Sequence, residues 1–146
     1  MRASHGWFVA LLIIAVLQLN ACDPKPVTTE KVNPVKLESI EGSDLKRVVL
    51  TEKAVERIDV QTVPVKEELV NGVTRIVVPY KAVIYDLHGE TWLYTSPTPL
   101  TFVRESIIVD SIDGDRAILV SGPVLGTEVV IVGVAELFGA ETGVSK

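Results

Sequence analysis

From Arg47 to Val132 the chain is written in short runs in which apolar and polar residues alternate, each run closed by a turn-forming residue. A period of two is the mark of strands that bury one face. The runs are Arg47 to Leu50, Val60 to Lys66, Leu69-Val70, Val73 to Val78, Tyr80 to Tyr85, Thr91 to Thr95, Thr101 to Val109, Arg116 to Val120 and Glu128 to Val132. Asn71-Gly72 lies between two of them, and both residues tolerate the positive φ of a type I′ turn, so a hairpin is expected there. Gly89 within Asp86 to Glu90 and the pair Asp113-Gly114 predict two more tight turns, and Ser121-Gly122-Pro123 with Gly126 predicts a longer loop. Pro64 assigns its run to a sheet edge, Pro97 and Pro99 interrupt the pattern, and Val103, Ile107 and Val109 share one strand face.

Two stretches follow a helical pattern instead. Thr51 is a good N-cap for a helix of about two turns reaching Ile58, with Glu52 near the positive end of the helix dipole and Leu50 and Val55 at the positions of a hydrophobic staple. Val55 and Ile58 then share its buried face, and a helix this short must dock on a sheet. Gly133 opens a final turn from Val134 to Phe138, ended by Gly139. The expected fold is mainly β, a small β-barrel or β-roll with one or two short helices. Closure of the sheet hides edges that a Val-rich protein exposes at its peril.

The first 44 residues follow neither period. Arg2, an apolar run from Trp7 to Leu17 and small Ala21 before Cys22 form a secretory signal whose hydrophobic part is too short for a comfortable membrane span. Leu19-Asn20-Ala21-Cys22 resembles a bacterial lipobox, which implies cleavage before Cys22 and acylation of its thiol. An ordinary signal peptide ending near an unpaired cysteine is the alternative. Cys22 is the only cysteine, so no disulfide is available, and acylation removes a free thiol that is a liability in an oxidising compartment. Asp23 resembles the residue that retains enteric lipoproteins at the inner membrane. Residues 22–44, with Pro24, Pro26 and Pro34, read as a linker able to span roughly 60 Å at about 3.1 Å per residue. Val35 to Ile40 as a first strand is the competing reading. The expected organisation is therefore a signal peptide (1–21), a linker (22–44), a β domain (45–140) and a flexible tail (141–146).

Charge narrows the partners. With 14 Lys and Arg against 19 Asp and Glu, the formal charge of –5 repels phosphate backbones and anionic lipid heads. Nucleic acid is not an expected partner, and attachment to a membrane must come from the lipid. Candidate chemistry is sparse. His88 with Asp86 and Glu90 invites a metal or acid-base reading, but all three lie in a turn, where polar residues are ordinary. Asp110, Asp113 and Asp115 lack the downstream bidentate Glu of a calcium loop. No serine sits in a nucleophile elbow and no Gly-rich loop joins a strand to a helix. Neither an enzyme nor a cofactor or metal is expected. Trp92 and Tyr94, on one strand face with Tyr80 near, suit either core packing or stacking on a ligand at a barrel mouth.

Pro79, Ala82-Val83, Gly89, Trp92-Leu93-Tyr94, Gly114-Asp115, the stretch Ser121 to Val130 and Gly133-Val134-Ala135-Glu136-Leu137 form an ordered series. It resembles the membrane-proximal domain of the periplasmic adaptor family, the membrane-fusion proteins of HlyD and RND-type efflux systems. Leu50 to Val65 is similar to the segment by which heavy-metal-type adaptors enter their folded part. A full adaptor inserts a lipoyl domain, a long helical hairpin and a separate β-barrel domain, where this chain has only the Asn71-Gly72 hairpin. Pro123 and Thr127 also depart from the pattern, and with Met1 the only methionine the thioether metal site of some metal-efflux adaptors is absent. The resemblance implies a lipid-anchored, non-catalytic protein on the extracytoplasmic (periplasmic) face of the cell membrane that contacts a membrane transporter, RND-type or another permease. It would do so through Asp86, His88 and Glu90 in one turn and Asp113, Asp115 and Arg116 in another. A surface lipoprotein binding a small ligand through Tyr80, Trp92 and Tyr94 is the alternative.

Overall fold

The structure, a computed structural model, describes residues 32–143. The signal segment, Cys22, the start of the linker and the last three residues lie outside the described residues. The domain begins with a hairpin of β1 (Val35–Ser39) and β2 (Lys46–Leu50), in register from Val35 opposite Leu50 to Ser39 opposite Lys46. The linker expectation is corrected over these residues. Val35 and Leu37 lie opposite Leu50 and Val48 of the core, and this stretch pairs as a strand with Val35 partly buried against that core. Pro34 precedes the strand, where its missing N–H costs nothing, and its carbonyl accepts from the Thr51 amide at 3.1 Å.

Helix α1 (Glu52–Arg57) is capped as its sequence implies, with Thr51 Oγ1 accepting from the Ala54 amide at 3.3 Å. The chain then enters β3 (Gln61–Pro64), an edge strand on β10 (Glu128–Val132). It turns at Val65, whose N–H donates to Thr127 and whose carbonyl accepts from Gly126. Beyond this bend β4 (Lys66–Val70) and β5 (Val73–Pro79) form the expected hairpin, with Asn71 and Gly72 at φ 51° and 80°.

A 3-10 turn (Tyr80–Ala82) and the two-residue β6 (Ile84–Tyr85) replace the single strand expected from Tyr80 to Tyr85. Ala82 is fully buried and lies between flanking exposed or half-exposed positions, a spacing that suits one tight helical turn better than alternation. Strand β7 (Thr91–Thr98) runs past Pro97 by shifting register between Thr95 and Thr98. β8 (Thr101–Asp113) and β9 (Arg116–Ser121) complete the sheet, and α2 (Val134–Thr142) closes the chain. Helix α2 continues through Gly139 to Thr142 with Gly143 as its cap, so the expected stop at Gly139 is corrected, as is the tail at residues 141 and 142, its last three residues lying outside the described ones. Leu137 and Glu141 are buried, and their contacts outweigh the roughly 1 kcal/mol that a glycine costs inside a helix.

The strands are ordered β3-β10-β7-β8-β9-β5-β4, with β1-β2 added along the first part of β8 and β6 beside β7. β8 carries the curl. Its first residues pair with β2 and β7, its last with β9, and two register shifts between Ile108 and Ser111 bend it in between. Since β3 and β4 are consecutive in the chain but lie at opposite ends of this order, the sheet coils back on itself as a half-barrel. The fold is thus mainly β and barrel-like, with two helices among the described residues, as the alternation predicts.

Its two faces bury separate cores. Inside the curl lie Val65, Val78, Leu93, Ile107, Ala117, Leu119 and Val129, with Val109 beside them on the face that alternation assigned to it. On the other face Val48, Leu50, Tyr94, Phe102 and Val130 pack beneath Ala54 of α1 and Leu137 of α2, with Val55 and Ile58 partly buried at the margin. Gly133 enters α2 at φ 88°, and a β-carbon there would stand 3.1 Å from Val60 Cγ2, so the close approach of α2 to the end of α1 needs glycine. Leu137→Ala should therefore lower stability by about 3 kcal/mol in urea unfolding, the range for a buried leucine that leaves a cavity. Leu87→Ala, in a side chain wholly in solvent, should stay within about 0.5 kcal/mol.

Candidate functional site

The turn between β6 and β7 is built on Asp86. Its Oδ1 accepts from the His88 and Glu90 amides, both at 2.9 Å, and its Oδ2 accepts from Trp92 Nε1 at 3.1 Å. Burial raises the Asp86 pKa, but these three donors outweigh it and hold the carboxyl below its usual value. Asp86 is therefore occupied in making the turn. What the turn offers to solvent is Leu87, His88 and Glu90, all exposed.

The β8-β9 turn is likewise self-contained. Gly114 takes φ 62°, and Arg116 spans outward, donating to Asp113 through one nitrogen and to Glu68 of β4 at 2.7 Å through another. These bonds, to Asp113 first, raise the guanidinium pKa further. A groove of about 240 Å³ beside them has Lys66, Glu68, Asp115 and Arg116 as its polar walls. The Tyr80 amide donates to the Asp115 carbonyl at 2.7 Å. Burial first, and then a hydrogen bond with Tyr80, raise the Tyr85 hydroxyl pKa. Of the sequence-derived contact residues, His88, Glu90 and Asp115 are thus exposed with no side-chain partner among the described residues, whereas Asp86, Asp113 and Arg116 are engaged within the fold. Among the described residues no three His, Cys, Asp or Glu side chains gather as metal ligands.

The expectation for the aromatic residues is corrected at Tyr94. Tyr94 is fully buried under α2 and so has no free face for a ligand, and Trp92 is half-buried on the same face with a guanidinium over its ring. Tyr80, 40% exposed, lies instead beside Asp115 and Tyr85. The face that alternation gave to Trp92 and Tyr94 is real, but α2 covers it.

What covers it is a polar knot that strand and turn patterns did not disclose. Tyr94 donates its hydroxyl to Glu141 of α2, and the same carboxylate accepts from the Lys46 amide at 3.4 Å and stands 3.3 Å from Arg104 Nε. That Nε forms no hydrogen bond, so the Arg104 pair is held by charge and proximity. The guanidinium carbon lies 4.6 Å from the Trp92 ring centroid and 5.4 Å from that of Phe138, sandwiched between sheet and helix. Four elements, β2, β7, β8 and α2, meet at one carboxylate. Period-two facing places Arg104 opposite Tyr94 and so could have flagged the pair. Nothing in the spacing of a nine-residue helix marks Glu141 as its partner.

Compared with protein-family models, curated proteins and solved structures, the chain matches none.

Glu141→Ala should cost about 3 kcal/mol in urea unfolding, since it leaves a largely buried guanidinium and a buried hydroxyl without their acceptor. Burial first, and then the Glu141 bond, raise the Tyr94 pKa above its ordinary value near 10. A group with a raised folded pKa contributes its full stability below the unfolded pKa and loses it as pH rises beyond. Tyr94→Phe should therefore be less stable than the parent by about 2 kcal/mol at neutral pH. The gap should close progressively above about pH 10, which urea midpoints across the alkaline range check.

Proposed function

We propose that this protein is a lipid-anchored, non-catalytic β domain on the extracytoplasmic face of a cell membrane, where it assists a membrane transporter by direct contact. The observation that carries the reading is the agreement between the adaptor-like motif series and the architecture. The glycines that punctuate the series occupy its turns: Gly89 before β7, Gly114 between β8 and β9 and Gly126 before β10 all have positive φ, and Gly133 opens α2. Between them lie the strands of a mainly β curl. The side chains that an adaptor-like contact would use are the exposed ones of the β6-β7 and β8-β9 turns: Leu87, His88 and Glu90 with Asp115. They offer one apolar and several polar groups on two self-bonded turns, which suits docking because little ordering entropy is lost. No helix among the described residues is long and apolar enough to cross a membrane. In this reading Cys22 supplies the attachment, and two or three acyl chains hold far better than one at about 0.8 kcal/mol per buried methylene.

Two measurements test it. A photoreactive amino acid in place of His88 or Asp115, activated in living cells, should capture an integral membrane transporter, and the same probe at the exposed Glu56 of α1, on the other face of the sheet, should not. Capture of no membrane protein from either turn would remove the mechanism. Metabolic labelling with an alkynyl fatty acid should mark the wild-type protein and leave Cys22→Ser unmarked; equal labelling would remove the anchor.

A further inference from the structure

Strand β1 has β2 on one side and, among the described residues, no strand on the other. Its hydrogen-bonding phase is set by two bonds. The Thr51 amide donates to Pro34, and the Leu50 amide donates away from β1, to Leu100 of the chain segment beyond. Pro34 and Thr51 are thus a hydrogen-bonded pair and Val35 and Leu50 are not, so the backbone N–H and C=O groups of Val35, Leu37 and Ser39 point to the open edge. The Val35 amide is met there only by the side chain of Asn33, at 3.3 Å. Beside this edge lies an open recess of about 650 Å³, lined by Asn33, Val35, Lys36, Leu37 and Ala140 of α2, and Leu37 is 40% exposed in it. An unpaired edge with an apolar residue at its centre is a template for another strand.

We infer that the occupant is a second copy of this chain, joined β1 to β1 in antiparallel fashion about a two-fold axis at Leu37. The charges choose both the partner and the register. Only registers that set outward-facing residues opposite one another can form the ladder, and three of them keep most of the strand paired. Centring on Lys36 sets Lys36 against its own copy, and centring on Glu38 sets Glu38 against its own. Centring on Leu37 sets Lys36 against Glu38 of the second copy, twice by symmetry, as a non-hydrogen-bonded pair where side chains lie closest. The outward groups of Val35, Leu37 and Ser39 then exchange main-chain bonds with Ser39, Leu37 and Val35 of the other chain. Asn33 gives up its bond to Val35, and the two Leu37 side chains meet beside the recess against Ala140. Within one chain Glu38 already binds Lys36 at 2.9 Å and Arg47 at 3.3 Å, so association shares an existing cluster of charge rather than burying a lone ion. The contact is isologous, as closed dimers require.

Sedimentation velocity of the full chain over a concentration series tests this. The wild type should show a monomer–dimer equilibrium. Lys36→Glu and Glu38→Lys, each alone, should weaken it by about tenfold, because two favourable pairs become like-charged. Mixed in equal amounts, the two variants should associate with each other at wild-type strength or better, since every contact between unlike chains is then Glu against Lys. Restoration by mixing also distinguishes a lost interface from a variant that fails to fold. A wild type that stays monomeric to its solubility limit, as it would if an earlier segment of its own chain covered β1, overturns the inference. So do single variants that dimerise unchanged, or a mixture that does not recover.

Discussion

Everything in this domain follows from one constraint: the sheet through β7, β8 and β10 is buried on both faces. Leu93 and Val129 point into the curl while their neighbours Tyr94 and Val130 point at the helices, and all four are fully enclosed. A strand with two dry faces needs two covers. The curl of the sheet supplies one, by bringing β9 and β5 over Leu93. The second must come from the helices, and neither helix, at six and nine residues, is stable away from the sheet. The Glu141 knot answers that need. It fixes α2 to three strands at once, and its cost in desolvation is met by Tyr94, the Lys46 amide and Arg104 together.

Sequence patterns reveal the strands and turns far better than they reveal this arrangement. The hairpin at Asn71-Gly72, the edge role of Pro64 and the cap at Thr51 are local chemistry, legible because each depends on two or three adjacent residues. The errors lie where a distant contact overrides local preference. Val35 to Ser39 sits among prolines and charges but finds an apolar neighbour in β2, and Gly139 stops nothing because Leu137 before it and Glu141 beyond it are held from outside the helix. Tyr94 is the instructive case among the site residues. Its strand face was readable, but whether that face meets a ligand or a helix depends on the last turn of the chain, which local signals end too soon. The turn acids show the same limit: Asp86, Asp113 and Arg116 look available in sequence and are already engaged by Trp92, by backbone amides and by Glu68.

A consequence follows for where contacts can be made. The faces of the central strands are covered, so the surface left for recognition is at turns and edges. The β6-β7 and β8-β9 turns are stiffened by bonds within themselves, so they present fixed shapes. The β4-β5 tip differs in kind. It carries Leu69 and Val73 exposed on a plain two-residue turn, beside the Glu68 bond to Arg116. A partner that needs a shaped, rigid surface has reason to use the braced turns.

The β1 edge and the knot are not independent features. Glu141 accepts from the amide of Lys46, the first residue of β2, while Ala140, one residue before it, lines the recess beside Leu37. The same turn of α2 therefore holds the hairpin that bears the edge and forms the wall against which an added strand would lie. Loosening the knot would free the β1-β2 hairpin to move relative to α2 and open the wall together with the edge. An added strand, by covering Leu37 and Ala140, would in turn oppose that loosening, because burial of the helix's last turn would then be shared by two sheets. Thermodynamic linkage makes the relation reciprocal: whatever favours strand addition at β1 also favours the seated state of α2.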